Sequence, residues 1–213
     1  MSRMPYSFTC IDHINKSIEF AKNGVSKLPL EILDLPGMSS YKVRHFLNNL
    51  CGRFPGHVYL EVGCYKGSTL ISAGYANNVK LIGIDNWSEF DAPKDEFMSN
   101  VNKWIPDNNL WFLDQNAFSV GLDRFNDKIG IYFYDGSHDV ASQIQAFTYF
   151  NQILDNVFIT IIDDWNMDSV KLGTNEAFRS LKYTVLDFWE LPAKFNGDTE
   201  NWWNGLYIAV VRK

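Results

Sequence analysis

From His57 to the end of the chain, short apolar runs alternate with longer amphipathic stretches, and this alternation limits what the chain can fold into. The runs His57–Val62, Val79–Asp85, Leu110–Leu113, Ile129–Asp135 and Val157–Asp163 are brief, rich in Val, Ile and aromatic residues, and bounded by turn formers. Such runs read as strands buried on both faces. Helical stretches accompany them at Gly67–Tyr75, Glu89–Trp104, Phe118–Phe125, Val140–Leu154 and Val170–Lys182. Strand–helix alternation predicts a parallel sheet covered on both sides by helices. The tail breaks the rhythm. Tyr183–Glu190 and Gly205–Arg212 predict two strands joined by the Trp-rich loop Leu191–Asn204 with no helix between them, hence an antiparallel hairpin. The expected fold class is α/β, a mostly parallel, seven-stranded Rossmann-like sheet ending in that hairpin.

The segment before the sheet reads as helical. Val43, Phe46, Leu47 and Leu50 recur at helical spacing after Ser39 and Ser40, both suited to cap a helix. Ile11, Ile14 and Ile18 mark an earlier helix, with Pro29 and Pro36 interrupting the chain between them. The expected organisation is one domain, with residues 1–56 as an N-terminal helical cap and residues 57–213 as the core. Covering the sheet is the simpler role for that cap, and gating a pocket the other.

Composition removes several classes of function. The net charge of -6 and the lack of any Lys/Arg run argue against a nucleic-acid partner, because phosphate binding leaves a basic footprint. No apolar run reaches membrane length, and Met1–Cys10 holds no signal-like apolar core, so no membrane partner is expected. Cys10, Cys51 and Cys64 are odd in number and follow no zinc spacing, which fits a reducing, cytoplasmic setting.

The first strand runs into Glu61-Val62-Gly63-Cys64-Tyr65-Lys66-Gly67-Ser68-Thr69. Gly63 permits a sharp turn and Gly67 lets the next helix pack closely. A dinucleotide fingerprint needs a second glycine where Tyr65 stands, and a P-loop needs Gly-Lys-Ser/Thr, whereas Lys66 precedes Gly67. Glu61 would repel a pyrophosphate but suits a ligand carrying an ammonium and a sulfonium, as S-adenosylmethionine does. A tight strand-to-helix turn with one solvated Glu is the plainer reading of this loop. The second strand ends in Ile84-Asp85-Asn86-Trp87, where an acid can accept both ribose hydroxyl protons of an adenosine; Asp85 as a strand-end cap is the alternative. Asn116-Ala117, after the third strand, stands where an adenine amino group would be read, although Asn in a loop is commonly a turn residue.

Two more strand ends carry acids: Asp135-Gly136-Ser137-His138 and Asp163-Asp164-Trp165. Ligands of open parallel sheets bind beyond the carboxyl ends of the strands. If strands one, four and five are neighbours, Asp135, Asp163 and Asp164 converge beside the glycine loop and need a compensating cation. Oxygen-only donors favour Mg²⁺, with Mn²⁺ or Ca²⁺ as other choices. Adjacent strand residues point to opposite faces, so Asp163 and Asp164 share an ion only where the strand opens into a loop. His138 stands three residues beyond Asp135, placed to accept a proton from a hydroxyl, with capping as its other reading. His13, His45 and His57 have no such context. Phe188, Trp189, Trp202 and Trp203 can wall a sugar or ring, or pack within the hairpin.

Taken together, the motifs from Glu61 to Ser68, Ile84-Asp85, Asp135 to His138 and Asp163-Asp164 resemble the class I methyltransferases of the macrocin O-methyltransferase family, distantly similar to catechol O-methyltransferase. The resemblance spans roughly Val58 to Trp165. It implies a Rossmann-like methyltransferase fold, S-adenosylmethionine at Glu61, Gly63, Tyr65, Gly67, Ser68, Asp85, Asn86, Trp87, Asn116, Ala117 and Asp135, and Mg²⁺ on Asp135, Asp163 and Asp164. It also implies His138 as the base and a small-molecule hydroxyl, of a sugar or catechol-like compound, as the acceptor. Asn86 departs from the apolar residue common against adenine, a place Trp87 can take. Oligomeric state stays open, a homodimer being one option. Two rivals remain: a nucleotide-sugar glycosyltransferase using Asp163-Asp164, which Glu61 and Tyr65 oppose, and a non-catalytic binding protein, which the intact set of acids opposes.

Overall fold

The computed structural model describes residues 8–90, 94–106 and 109–213. Seven strands form one sheet: β1 (Val58–Val62), β2 (Lys80–Asp85), β3 (Leu110–Asp114), β4 (Ile129–Tyr134), β5 (Leu154–Ile162), β6 (Thr184–Leu191) and β7 (Leu206–Arg212). Their order is β3-β2-β1-β4-β5-β7-β6. The first five strands pair in parallel, and β7 runs antiparallel between β5 and β6. The hairpin strands therefore pair with each other as expected, and β7, the last strand in sequence, lies inside the sheet.

Side-chain alternation divides the core into two layers, because successive residues of a strand face opposite sides. Tyr59 of β1 and Ile131 and Phe133 of β4 pack on one face with Phe46, Leu47 and Leu50. Those three belong to α3 (Tyr41–Arg53), which lies with α1 (Phe8–Lys22), α4 (Ser68–Gly74) and α5 (Lys94–Trp104). Val58, Leu60, Val62, Tyr132 and Tyr134 pack on the other face with Phe147 and Ala177 of α6 (Val140–Phe150) and α7 (Asp168–Ser180). Each buried aromatic contributes about 2–3 kcal/mol of transfer free energy. The expected N-terminal helices are α1 and α3, with a short turn α2 (Leu30–Leu33) beginning after Pro29. Ser40 caps α3, its hydroxyl accepting from Val43 N at 3.3 Å.

Some boundaries depart from the sequence pattern. The stretch Phe118–Phe125 is not a helix but two 3₁₀ turns, Ala117–Ser119 and Leu122–Arg124, separated by extended backbone at Val120 and Gly121. Gly121 gives a helix little support there, and the Asn116 side chain accepts from Phe118 N, which starts a tight turn instead. α6 ends at Phe150 and β5 begins at Leu154, where pairing with Ile129 extends the strand beyond the apolar run. Residues 91–93 of the expected Glu89–Trp104 helix lie outside the described residues; Glu89 and Phe90 are a bend and a turn, and the described helix covers Lys94–Trp104. The three cysteines are buried. Among the described residues no helix is long and apolar enough to cross a membrane.

Candidate active site

A cleft of about 710 Å³ opens at the carboxyl ends of β1, β2, β4 and β5, within the range of about 300–1,000 Å³ usual for small-molecule sites. Lateral hydrogen bonds draw its walls together: Gly63 N to Ile84 O, Asp135 N to Val62 O and Asp163 N to Tyr134 O, at 2.9–3.1 Å. Gly63 adopts φ +88°, and a Cβ there would lie 2.0 Å from the Asp135 carbonyl oxygen, so the chains can meet only at glycine. Gly63, Tyr65, Ser68, Asp85, Asn86, Asn116, Ala117, Asp135, His138, Asp163 and Asp164 all line the cleft.

Glu61, Gly67 and Trp87 do not line it. Glu61 alternates with Val62 and so faces the layer beneath α3 and α4, where it has no solvent exposure. Tyr59 and Thr69 hydroxyls donate to its two oxygens at 2.6 and 2.7 Å. Burial pushes its carboxyl up to about 8, against those two hydrogen bonds. The carboxylate expected beside a cationic ligand is therefore an interior group, and the alternative of a solvated Glu fails with it. Gly67, at φ +85°, starts α4 and packs against Phe97, where a Cβ would lie 3.1 Å from the ring. The Trp87 ring joins Phe97 and Phe112, with centroids 5.3 and 5.1 Å away, and its indole N–H donates to Tyr65 O. It braces the glycine loop from behind and lies outside the cleft lining.

Asp85 shapes the loop from the neighbouring strand. One carboxylate oxygen accepts from Cys64 N and Tyr65 N, the other from Trp87 N, all at 2.8 Å. A carboxylate offers about four acceptor positions, so three backbone donors leave little for two ribose hydroxyls. Asn86 and Asn116 line the cleft while closing turns, accepting from Ser88 and Phe118 amides. Sequence reasoning missed Met38 and Ser39, which reach the rim from the N-terminal segment, and Gln115, Phe118, Asn196 and Asn204. The 33–39 segment is held by Arg44, whose guanidinium donates to Leu35 O at 2.7 Å and to Ser39 Oγ at 3.0 Å. Spacing alone carries no signal for these contacts.

The acids line the same cleft, Asp135 directly beside the glycine turn. Asp164 has φ +55°, a left-handed bend that opens the strand and brings Asp163 and Asp164 into one cleft. Asp163 is 5% exposed, and its buried Oδ1 has no hydrogen-bond partner. Asp135 and Asp163 are in hydrogen-bonding contact. Burial first, and neighbouring carboxylates second, push both well above the usual carboxylate range. An orphaned buried oxygen within a group of acids fits a hard divalent cation, which would supply the missing partner. Asp135, His138 and Asp164 also offer ligand atoms within 4.8 Å of one another. His138 Nε2 lies 2.5 Å from Asp164 Oδ2. This contact holds the imidazole above its usual value, although burial pulls the other way. Of the four tail aromatics, only Trp203 lines the cleft. Trp202 is buried near Phe46, Phe188 stacks on Tyr207, and Trp189 donates to Asn15.

The chain matches no protein-family model and no curated protein sequence. Solved structures do match. The O-methyltransferase TomG from Streptomyces achromogenes, involved in tomaymycin synthesis and solved with S-adenosylmethionine, has a TM-score of 0.62 at 15% identity, over 95% of this chain and 90% of that one. An O-methyltransferase from Bacillus cereus in complex with SAH gives 0.60 at 12% identity, over 98% and 93%. The fold is the Rossmann-like methyltransferase fold. A precorrin-8w decarboxylase from Methanobacterium thermoautotrophicum shares it too, with a TM-score of 0.58 at 18% identity over 90% and 97%. Likeness at this level is one of fold, and the activity has to be argued from the site.

Proposed function

We propose that this chain is an S-adenosylmethionine-dependent O-methyltransferase acting on a small-molecule hydroxyl with a divalent cation, Mg²⁺ first among the choices. The observation that carries this reading is convergence: the glycine turn with Asp85 and the acids Asp135, Asp163 and Asp164 line one cleft with His138. S-adenosylmethionine supplies an electrophilic methyl group, which an oxygen held in line at about 3 Å can take. A divalent cation on Asp135 and its neighbouring acids would lower the pKa of an acceptor hydroxyl and fix its pose.

The chain's own residues divide the remaining tasks. Gly63 lets backbone approach the cofactor closely, and Tyr65, Asn116 and Ala117 line the cleft beside it. Asp85 holds the loop in shape and keeps about one acceptor position for a ribose hydroxyl. His138 accepts the hydroxyl proton. Trp203 offers an apolar face to a ring or sugar.

Thermal shift with SAH and with UDP separates this reading from a glycosyltransferase: SAH should raise the melting temperature and UDP should not. Turnover against catechols, sugars and glycosides, with Mg²⁺ and then EDTA, tests the activity. Stabilisation by UDP alone overturns the reading, and SAH binding without methyl transfer to any acceptor class favours a binding protein.

A further inference from the structure

The adjacent acids Asp163 and Asp164 sit in unlike surroundings. Asp163 Oδ1 is buried without a partner, and its carboxyl contacts Asp135. Both oxygens of Asp164 are engaged by the protein: Oδ2 faces His138 Nε2 at 2.5 Å, and Oδ1 accepts from the Asn204 side-chain amide. The orientation of that amide is set by Gly197 N, which donates to Asn204 Oδ1 at 2.6 Å and so leaves Nδ2 to face Asp164. The Asn204 main chain is fixed as well, its carbonyl accepting from Asn166 N at 2.9 Å. Asp164 is 2% exposed, and its carbonyl accepts from Met167 N, which holds the bend. The Asp163 carboxyl has only the Asp164 backbone amide and Asp135 beside it, and its Oδ1 still lacks a partner.

We infer that the two acids have separate tasks: Asp135 and Asp163 hold the cation, while Asp164, anchored by Asn204, orients His138 as the base. This inference rests on the methyltransferase reading and departs from the expectation that all three acids are ligands. A carboxylate on Nε2–H fixes the tautomer and leaves Nδ1 as the atom that accepts a proton. His138 lines the cleft, and Nδ1 has no partner among the described residues. In the reaction the acceptor O–H proton goes to Nδ1 and an oxygen lone pair forms the O–CH₃ bond. The C–S electron pair stays on sulfur, giving neutral SAH. The positive charge leaves the sulfonium and appears on His138, next to the Asp164 carboxylate. Asp164 is a positioning residue in this scheme.

The rival arrangement places the ion among Asp135, His138 and Asp164, whose ligand atoms are close enough to hold one. Mn²⁺ binding followed by electron paramagnetic resonance decides between them on the full chain, together with SAH calorimetry and ¹⁵N-histidine NMR at a pH where the ring is neutral. Asp164→Asn suits the bend, since Asn tolerates the left-handed region. It should keep Mn²⁺ affinity within about threefold and SAH affinity unchanged, while the His138 ring shifts from the Nε2–H tautomer to a mixture. Asp163→Asn should weaken Mn²⁺ more than tenfold. His138→Gln, at a partly exposed position, should leave Mn²⁺ binding intact. Loss of Mn²⁺ in Asp164→Asn or His138→Gln overturns the inference, as does an unchanged tautomer in Asp164→Asn. Wild-type protein that binds neither SAH nor Mn²⁺ brings down the methyltransferase reading, and this inference with it.

Discussion

At the scale of single residues, two positions set the shape of the cleft by opposite means. Gly63 works by having no side chain. Gly63→Ala places a Cβ 2.0 Å from the Asp135 carbonyl at φ +88°, adding about 1–2 kcal/mol of left-handed strain to about 1–3 kcal/mol of overpacking. Urea unfolding should show a loss of several kcal/mol, and SAH affinity should fall with it. Glu61 works by being buried. Its proton is held up to about 8 when folded, against about 4.3 in an unfolded chain. A folded value above the unfolded one means that the native state binds the proton more tightly. Stability from this group is then full below about pH 4.3 and declines as pH rises toward 8, by about 1 kcal/mol per unit. Glu61→Gln removes that decline, so the stability of the variant relative to wild type should rise steadily from pH 5 to pH 8. A difference independent of pH would show that Glu61 is ionised in the native state.

At the scale of elements, α3 connects the core with the rim of the cleft. Its inner face buries Phe46, Leu47 and Leu50, and Arg44 on the same helix holds the segment that carries Met38 and Ser39. Ser40 starts the helix by accepting from Val43 N. Ser40→Ala should cost about 1 kcal/mol, read as a lower urea midpoint with an unchanged slope. Arg44→Met should raise the KM for S-adenosylmethionine more than it lowers kcat, because it frees the rim and leaves the acids in place. Equal losses in both would place Arg44 closer to the chemistry than the structure does.

At the scale of the whole molecule, the sheet separates two layers that share strands but no side chains. Phe46 lies in one layer and Phe147 in the other. Phe46→Leu and Phe147→Leu should each cost about 1 kcal/mol, and the double variant should lose their sum within about 0.5 kcal/mol. A clear excess over the sum would mean that the layers are coupled through the strands.

Local pattern was enough for much of this molecule. The strands, the helices on both faces and the terminal hairpin follow from the period of apolar residues, since a buried strand and an amphipathic helix leave different repeats. Acids at strand ends were legible for the same reason: Asp85, Asp135 and Asp163 close or directly follow apolar runs, and a parallel sheet delivers those ends to one edge. Tertiary structure decided the rest. The period of two says that Glu61 and Val62 face apart but not which of them is turned toward the cleft. Parallel neighbours are joined through crossovers, so the order that puts β4 beside β1, and β7 inside the sheet, is not written in any local stretch. The partners of Asp85 and Asp164 come from chain 20 and 40 residues away, and a side chain's role depends on which distant donor reaches it first.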